Sequence, residues 1–346
     1  MPSSQDLGPF TRKVLIVLAL VSVLVLAWAL LPVFMLVFGA VVVAALFLSL
    51  AHVLQRAVPV GDGLALSIVL VVLGGGLAVL LWLFGAQVSG EMSKLTEALP
   101  GAYAQFQSWL DGTSLGAVVS DQLETLRDNM GRIASSAGAI AITLSGGLVD
   151  MFLVLVGAIY IAAQPQMYRN GLLLLVPPSA RAVAGDALSA SAAALRLWLG
   201  GQLVAMLAVG VLTGLGLWLL GVPAAFALGL IAFLLDFVPI VGPIAAAIPG
   251  ILLGFTVSPQ IGLATAALYL VIQQIEGNLL QPLIQQRAVE LPPAVLLFSL
   301  VIFGSLQGTV GLLLAAPLTV VLYVLVKQLY VRETLGSDVS VPGEDR

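Results

Sequence analysis

The chain is written in long apolar runs with few interruptions. Residues 14–31, VLIVLALVSVLVLAWALL, carry no charge and stop at Pro32. About 20 apolar residues in a helix cross the roughly 30 Å of bilayer hydrocarbon, so this run predicts a span. Residues 33–51 continue the pattern without charge, and the Leu31-Pro32 junction predicts a tight turn between two spans. Residues 64–84 predict a third, with the small run Gly74, Gly75 and Gly76. A fourth covers about residues 139–163 with one acid, Asp150. A fifth covers about residues 197–220, where Gln202 and Thr213 are the clearly polar residues. Arg12 and Lys13 precede the first run as they would in a signal peptide. Its apolar stretch is longer than a signal core, and another span follows at once, so the segment reads as retained.

Residues 86–138 break the pattern. They hold Glu91, Lys94, Glu97, Asp111, Asp121, Glu124, Arg127, Asp128 and Arg132. Apolar residues recur at Val88, Met92, Leu95, Leu99, Phe106 and Leu110, then at Val119, Leu123, Leu126, Met130 and Ile133. Steps of three and four put one apolar stripe on a helix. The sequence DGTS at residues 111–114 separates the two series. The expectation is a pair of amphipathic helices outside the membrane, covering the bundle or each other, or touching a neighbouring subunit.

The last third is apolar yet does not divide into simple spans. Residues 222–235 supply only about 21 Å of helix. DFVPIVGP follows, with Asp236, Pro239, Gly242 and Pro243. Each proline removes an amide donor and disfavours helix just before it. Apolar residues resume at Ile244 and meet Pro249. Gln273, Gln274, Glu276, Asn278 and Gln281 then fall close together, followed by Pro282, Arg287, Glu290 and the pair Pro292-Pro293. A short apolar run at residues 294–304 and a last span at about 306–326, with Pro317, complete the pattern.

Irregular backbone cannot face lipid, where its amides would lack partners; it persists only against protein or a water-filled cavity. Short, Gly/Pro-interrupted apolar segments therefore point to a transport site. Acids at membrane depth are costly and mark function by default, which singles out Asp236 and Glu276. Each also has a structural reading, as an anchor at a helix end. Asp150 lies near the start of its span, where solvent reaches it. On a helix, Gln274, Asn278 and Gln281 share one face while Gln273 and Glu276 lie on another. A break near Gly277 or Pro282 would let them converge on one polar cavity, with Glu276 facing it beside the Asp236-Pro239-Gly242 break. The small-residue spacings Gly210/Gly214 and Gly304/Gly308/Gly311 would allow close helix approach.

Composition supports this picture. The 346 residues are 60% hydrophobic and 9% charged, where a soluble domain carries about 25% charged residues. Net charge is −4 and no basic tract exists, so nucleic acid is excluded as a partner. The absence of cysteine excludes disulfides and thiolate chemistry. His52, the sole histidine, sits near Arg56 at a span end. There is no HExxH, and the flanks of Asp150 and Asp236 do not match an intramembrane aspartyl protease. No enzyme and no cofactor are expected. With a cytoplasmic N-terminus, nine of the thirteen Lys and Arg fall inside, which predicts both termini cytoplasmic.

Three stretches together resemble the autoinducer-2 exporter family: DFVPIVGPIAAAIPG at residues 236–250, QQIEGNLLQPLIQQRAVELPP at 273–293, and GTVGLLLAAPLTVVLYVL at 308–325. The plan of early spans, helical insert and broken C-terminal half matches over nearly the whole chain. One departure is the glycine-poor QQRAV at residues 285–289, where a glycine-lysine pair is frequent. The resemblance implies a bacterial inner-membrane transporter of about eight spans, homo-oligomeric, with a pentamer as one candidate size. Members have been linked to export of autoinducer-2 and others to sodium–proton exchange.

The expected fold is therefore an all-α integral membrane protein of about eight transmembrane helices. Its C-terminal half holds broken or re-entrant hairpins, and its insert is extracytoplasmic. The organisation is residues 1–85 with three spans, the insert at 86–138, the discontinuous transport region at 139–332 and a cytoplasmic tail at 333–346. The expected function is export of a small polar solute across the bilayer by alternating access. The candidate site comprises Asp236, Pro239, Gly242, Pro243, Gln273, Gln274, Glu276, Asn278, Gln281 and Pro282, with no metal. The alternatives are a sodium or lithium–proton antiporter using Asp236 and Glu276 as proton carriers, and a structural or regulatory membrane protein.

Overall fold

The computed structural model describes residues 7–76, 137–282 and 291–337, with a few single positions besides. The insert at 86–138 and the residues Arg287 and Glu290 lie outside the described residues, apart from four single positions and residues 137–138 of the insert. Every regular element described is helical. The helices are α1 (Leu7–Ala57), α2 (Asp62–Gly76), α3 (Ala137–Ala163), α4 (Pro165–Leu174), α5 (Arg181–Leu219), α6 (Ala225–Leu235), α7 (Val241–Val257), α8 (Pro259–Ile275) and α9 (Pro293–Leu325).

The expected turn at Leu31-Pro32 is absent. Helix α1 runs unbroken through Pro32, a rod of about 76 Å at 1.5 Å per residue. The flanking residues are strong apolar helix formers with no glycine or turn residue among them, so Pro32 removes one internal hydrogen bond without ending the helix. Residues 11–30 are exposed all round, including Leu24 and Trp28. From Met35 onward α1 buries Ala40, Ala44 and Phe47 against α3, where Gly157 sits close to Ala40. At its end Gln55 Nε2 donates to Asp62 Oδ1 at 2.8 Å, which closes the turn into α2.

Gln164, between α3 and α4, takes φ −136° and ψ 58°, outside the helical region that the following proline disfavours. The bend between α3 and α4 is 90°. Helix α4 is tied to α5 through Arg169 Nη2, which donates to Gly185 O and to Ser189 Oγ.

The C-terminal half is broken as its prolines and glycines predict. Helix α6 is about 16 Å long. Asp236 ends it, and the chain turns through Pro239 and Ile240, whose φ of 69° is costly for a β-branched residue. Gly242 lies so close to the Leu235 carbonyl that a Cβ would collide with it. Helices α7 and α8 are joined at Ser258, which caps α8 by accepting a hydrogen bond from Ile261 N at 3.2 Å, with Pro259 in the first turn. Helix α9 contains one non-helical residue, Gly308, at φ 58° and ψ −136°. There the chain folds back: a Cβ on Gly311 would strike the Phe303 carbonyl, Gly304 faces Leu312, and Leu300 and Ala315 share one cluster. The sequence places this break slightly earlier, between 304 and 306.

By length and composition three described helices can cross a membrane: Thr11–Ala57, Pro178–Leu219 and Pro293–Thr334, with the bent α3–α4 pair as a fourth. The fold-back at Gly308 divides the third of these into two shorter arms. Apolar side chains cover the outside of the bundle, Val204, Leu207, Val211, Leu215 and Trp218 of α5 among them. That inverts the usual placement and requires lipid around it.

Candidate functional site

Helices α5 to α8 line a partly open cavity of about 300 Å³. Its walls are Val209 and Thr213 of α5, Ala232 of α6, Pro243, Ile244 and Ile251 of α7, and a face of α8 that runs through Ala266, Tyr269, Gln273 and Glu276. Small residues let these helices approach. A Cβ on Gly229 of α6 would lie 2.8 Å from the Gly214 Cα of α5, and one on Gly250 of α7 would meet the Tyr269 ring of α8.

Glu276 is 6% exposed and lies on the cavity wall. Gln273 Nε2 donates to its Oε2 at 3.2 Å, and the Gln281 side chain also hydrogen-bonds to it. The second contact depends on the backbone. Residues 276–280 form a π-turn, whose wider i→i+5 pattern aligns residue 281 with residue 276. At Gly277 the expected break does not occur: the helix continues to Pro282, where this run of described residues ends, and widening replaces interruption. Two amide donors at a buried carboxylate offset part of its desolvation cost.

Asp236 lies within electrostatic reach of Glu276. It is 1% exposed, yet among the described residues neither carboxylate oxygen has a hydrogen-bond partner. Its main-chain carbonyl, freed at the end of α6, accepts from Gln202 Nε2 at 2.7 Å. A half-helix end thus meets a side-chain donor from α5, as broken membrane helices require.

The structure brings Asp236, Gly242, Pro243, Gln273, Glu276 and Gln281 to one region and leaves Gln274, Asn278 and Pro282 outside it. Asn278 Nδ2 donates to Gln274 Oε1 at 2.8 Å on the opposite, exposed face of α8. Pro282 is also exposed, and Pro239 is half-buried beside the α6–α7 turn. Three residues that the sequence reading left without a role belong here: Gln202, Thr213 and Tyr269. Gln202 and Thr213 were visible as isolated polar residues in an apolar span. Tyr269 carried a fainter signal, its spacing of four and seven from Gln273 and Glu276, which puts all three on one helix face.

A lipid-facing helical bundle with interrupted helices around a buried acid and a small cavity is the architecture of a membrane transporter. The family model for AI-2E family transporters matches residues 15–331. The chain belongs to that family. YrrI of Bacillus subtilis is 31% identical over 195 residues, 55% of this chain and 55% of its own length. YueF of the same organism is 26% identical over 234 residues, 66% of this chain and 62% of its own. The AI-2 transport protein TqsA of Escherichia coli is 39% identical over 132 residues, 36% of this chain and 38% of its own. The chain thus spans between about two fifths and three fifths of the length of these relatives.

Proposed function

We propose that the chain is a secondary transporter that exports a small polar solute across a bacterial inner membrane, with Glu276 at the solute or ion site. The observation that carries this reading is the buried Glu276 carboxylate on the wall of the α5–α8 cavity. An acid is costly at membrane depth and would be selected against there without a task. The name of TqsA makes autoinducer-2 the first solute to test. Alternating access would move the hairpins at Asp236–Ile240 and Gly308 against α1, α3 and α5. The proposal includes about eight spans, cytoplasmic termini, an extracytoplasmic insert and a homo-oligomeric assembly.

The test is transport of labelled autoinducer-2 by purified protein in proteoliposomes. Wild type should move it. Glu276→Gln should fold and assemble normally but lose at least about tenfold in rate or lose its pH dependence. An unchanged rate and pH profile in that variant overturns the role of Glu276.

A second reading, cation–proton antiport, is favoured by two buried acids, Asp236 and Glu276, within electrostatic reach of each other. Two acids in electrostatic reach can exchange a proton for a sodium or lithium ion. A pH-sensitive dye sealed in the vesicles separates the readings, because antiport needs no organic solute.

A further inference from the structure

The side chains of the α5–α8 cavity are polar at one end only. Its floor is Val209 of α5, Ala232 of α6, Ala246 of α7 and Ile272 of α8, all buried. Its rim carries Ile244 and Leu270, which are 62% and 68% exposed. Beside that rim Val241, Leu263 and Val271 are exposed as well. The mouth therefore opens through the apolar outer surface of α7 and α8, which meets lipid. The Thr213 and Tyr269 hydroxyls are sealed within the packing and offer the cavity no polar atom. The polar side chains left to it are Gln273 and Glu276, one turn apart near the end of α8.

This arrangement selects a ligand in two ways. Apolar walls cannot replace the hydrogen bonds that a solute hydrated all round gives up on entry, whereas they favour every methylene buried against them. At the polar end Glu276 is an acid without a base. No described lysine or arginine lines the cavity, and the two amide donors on Glu276 offset only part of its desolvation cost. Gln273 spends its Nε2 on Glu276, which leaves its Oε1 as an acceptor. A carboxylate and an amide oxygen together match a donor group with positive charge, and a second anion there would meet like charge. At about 30 Å³ per water-sized group, a cavity of 300 Å³ holds about ten non-hydrogen atoms.

Resting on the reading of this cavity as the solute site, we propose that its cargo is a small amphiphilic cation: an ammonium head held by Glu276 and Gln273, with an apolar body of about six to eight carbons against α5, α6 and α7. The polarity of the solute is thus confined to one end.

Equilibrium dialysis of the purified protein, with empty detergent micelles as the blank, tests this with propyl-, butyl-, pentyl- and hexylammonium, hexan-1-ol and hexanoate. The dissociation constant should fall about three- to fourfold with each added methylene. Hexanoate should bind at least about tenfold more weakly than hexylammonium. Glu276→Gln should abolish the preference for hexylammonium over hexan-1-ol and keep the dependence on chain length. Ala247→Leu and Ala266→Leu add bulk to the wall. They should weaken hexylammonium about tenfold and leave propylammonium within about twofold. A flat chain-length series, or hexanoate bound as tightly as hexylammonium, overturns the proposal. So does a chain-length dependence undiminished in both filled variants, which would mean uptake by the micelle or another surface. Where a filled variant does not fold, the wild-type series decides alone. Failure of this proposal and of the transport reading remain distinguishable. If the series fails but wild type moves autoinducer-2 and Glu276→Gln does not, the transporter stands without this class of cargo. If the series succeeds and autoinducer-2 is not moved, that first solute is the wrong one and the amphiphilic cation stands.

Discussion

Two buried acids within electrostatic reach of each other have very different surroundings. Glu276 accepts from Gln273 and Gln281, whereas Asp236 has no side-chain partner among the described residues. Asp236→Asn should therefore keep or raise thermal stability, by about 1 kcal/mol, because an amide is cheaper to bury than a lone carboxylate. Melting of the purified protein checks this, and a loss of several degrees would show that the carboxylate has a structural role. Gln281→Leu should act in the opposite sense. It removes a donor from a buried acceptor and should cost about 1–3 kcal/mol, with the loss suppressed when Glu276 is already glutamine. Both acids were legible in the sequence, since charge stands out in an apolar run. Their partners were less so: Gln281 depends on the π-turn, and no local residue pattern announced one.

At the scale of elements, glycine decides where helices touch. Gly229 and Gly214 bring α6 and α5 nearly into backbone contact, and Gly242 tucks under the end of α6. Gly229→Ala and Gly242→Ala should destabilise by about 1–3 kcal/mol or more, since backbone atoms cannot give way as side chains do. Gly200→Ala has open space around its Cβ and should stabilise by a few tenths to about 1 kcal/mol. Denaturation in one detergent compares all three. The broken α6–α7 region was legible because two prolines and a glycine fall within five residues. The continuity of α1 was not: a lone proline reads as a turn from sequence, yet in a long apolar helix it costs only one hydrogen bond. Gln274 and Asn278 misled for a related reason. Clustering in sequence suggested clustering in space, but helical phase sends them to the other face.

For the whole molecule, composition was the strongest evidence. A chain with 9% charge and apolar residues all round its helices has no aqueous solution to its surface. Orientation rests on lysine and arginine alone. The absence of cysteine makes it easy to test, because one added thiol is the only reactive one. Leu335→Cys, at an exposed position after α9, should react with a membrane-impermeant maleimide in inverted vesicles and not in intact cells. Labelling in intact cells would place this segment on the outer side and reverse the proposed topology.

The fold-back at Gly308 bears on that outcome through parity. A straight helix over residues 293–325 would carry the chain from one side of the bilayer to the other. A helix that dips in and reverses returns it to the side it left. The sequence marks an interruption near residue 305 but not whether the chain crosses or reverses there, because neither arm gains a charge. The side on which Lys327 and Arg332 emerge thus turns on whether the chain reverses at a single glycine.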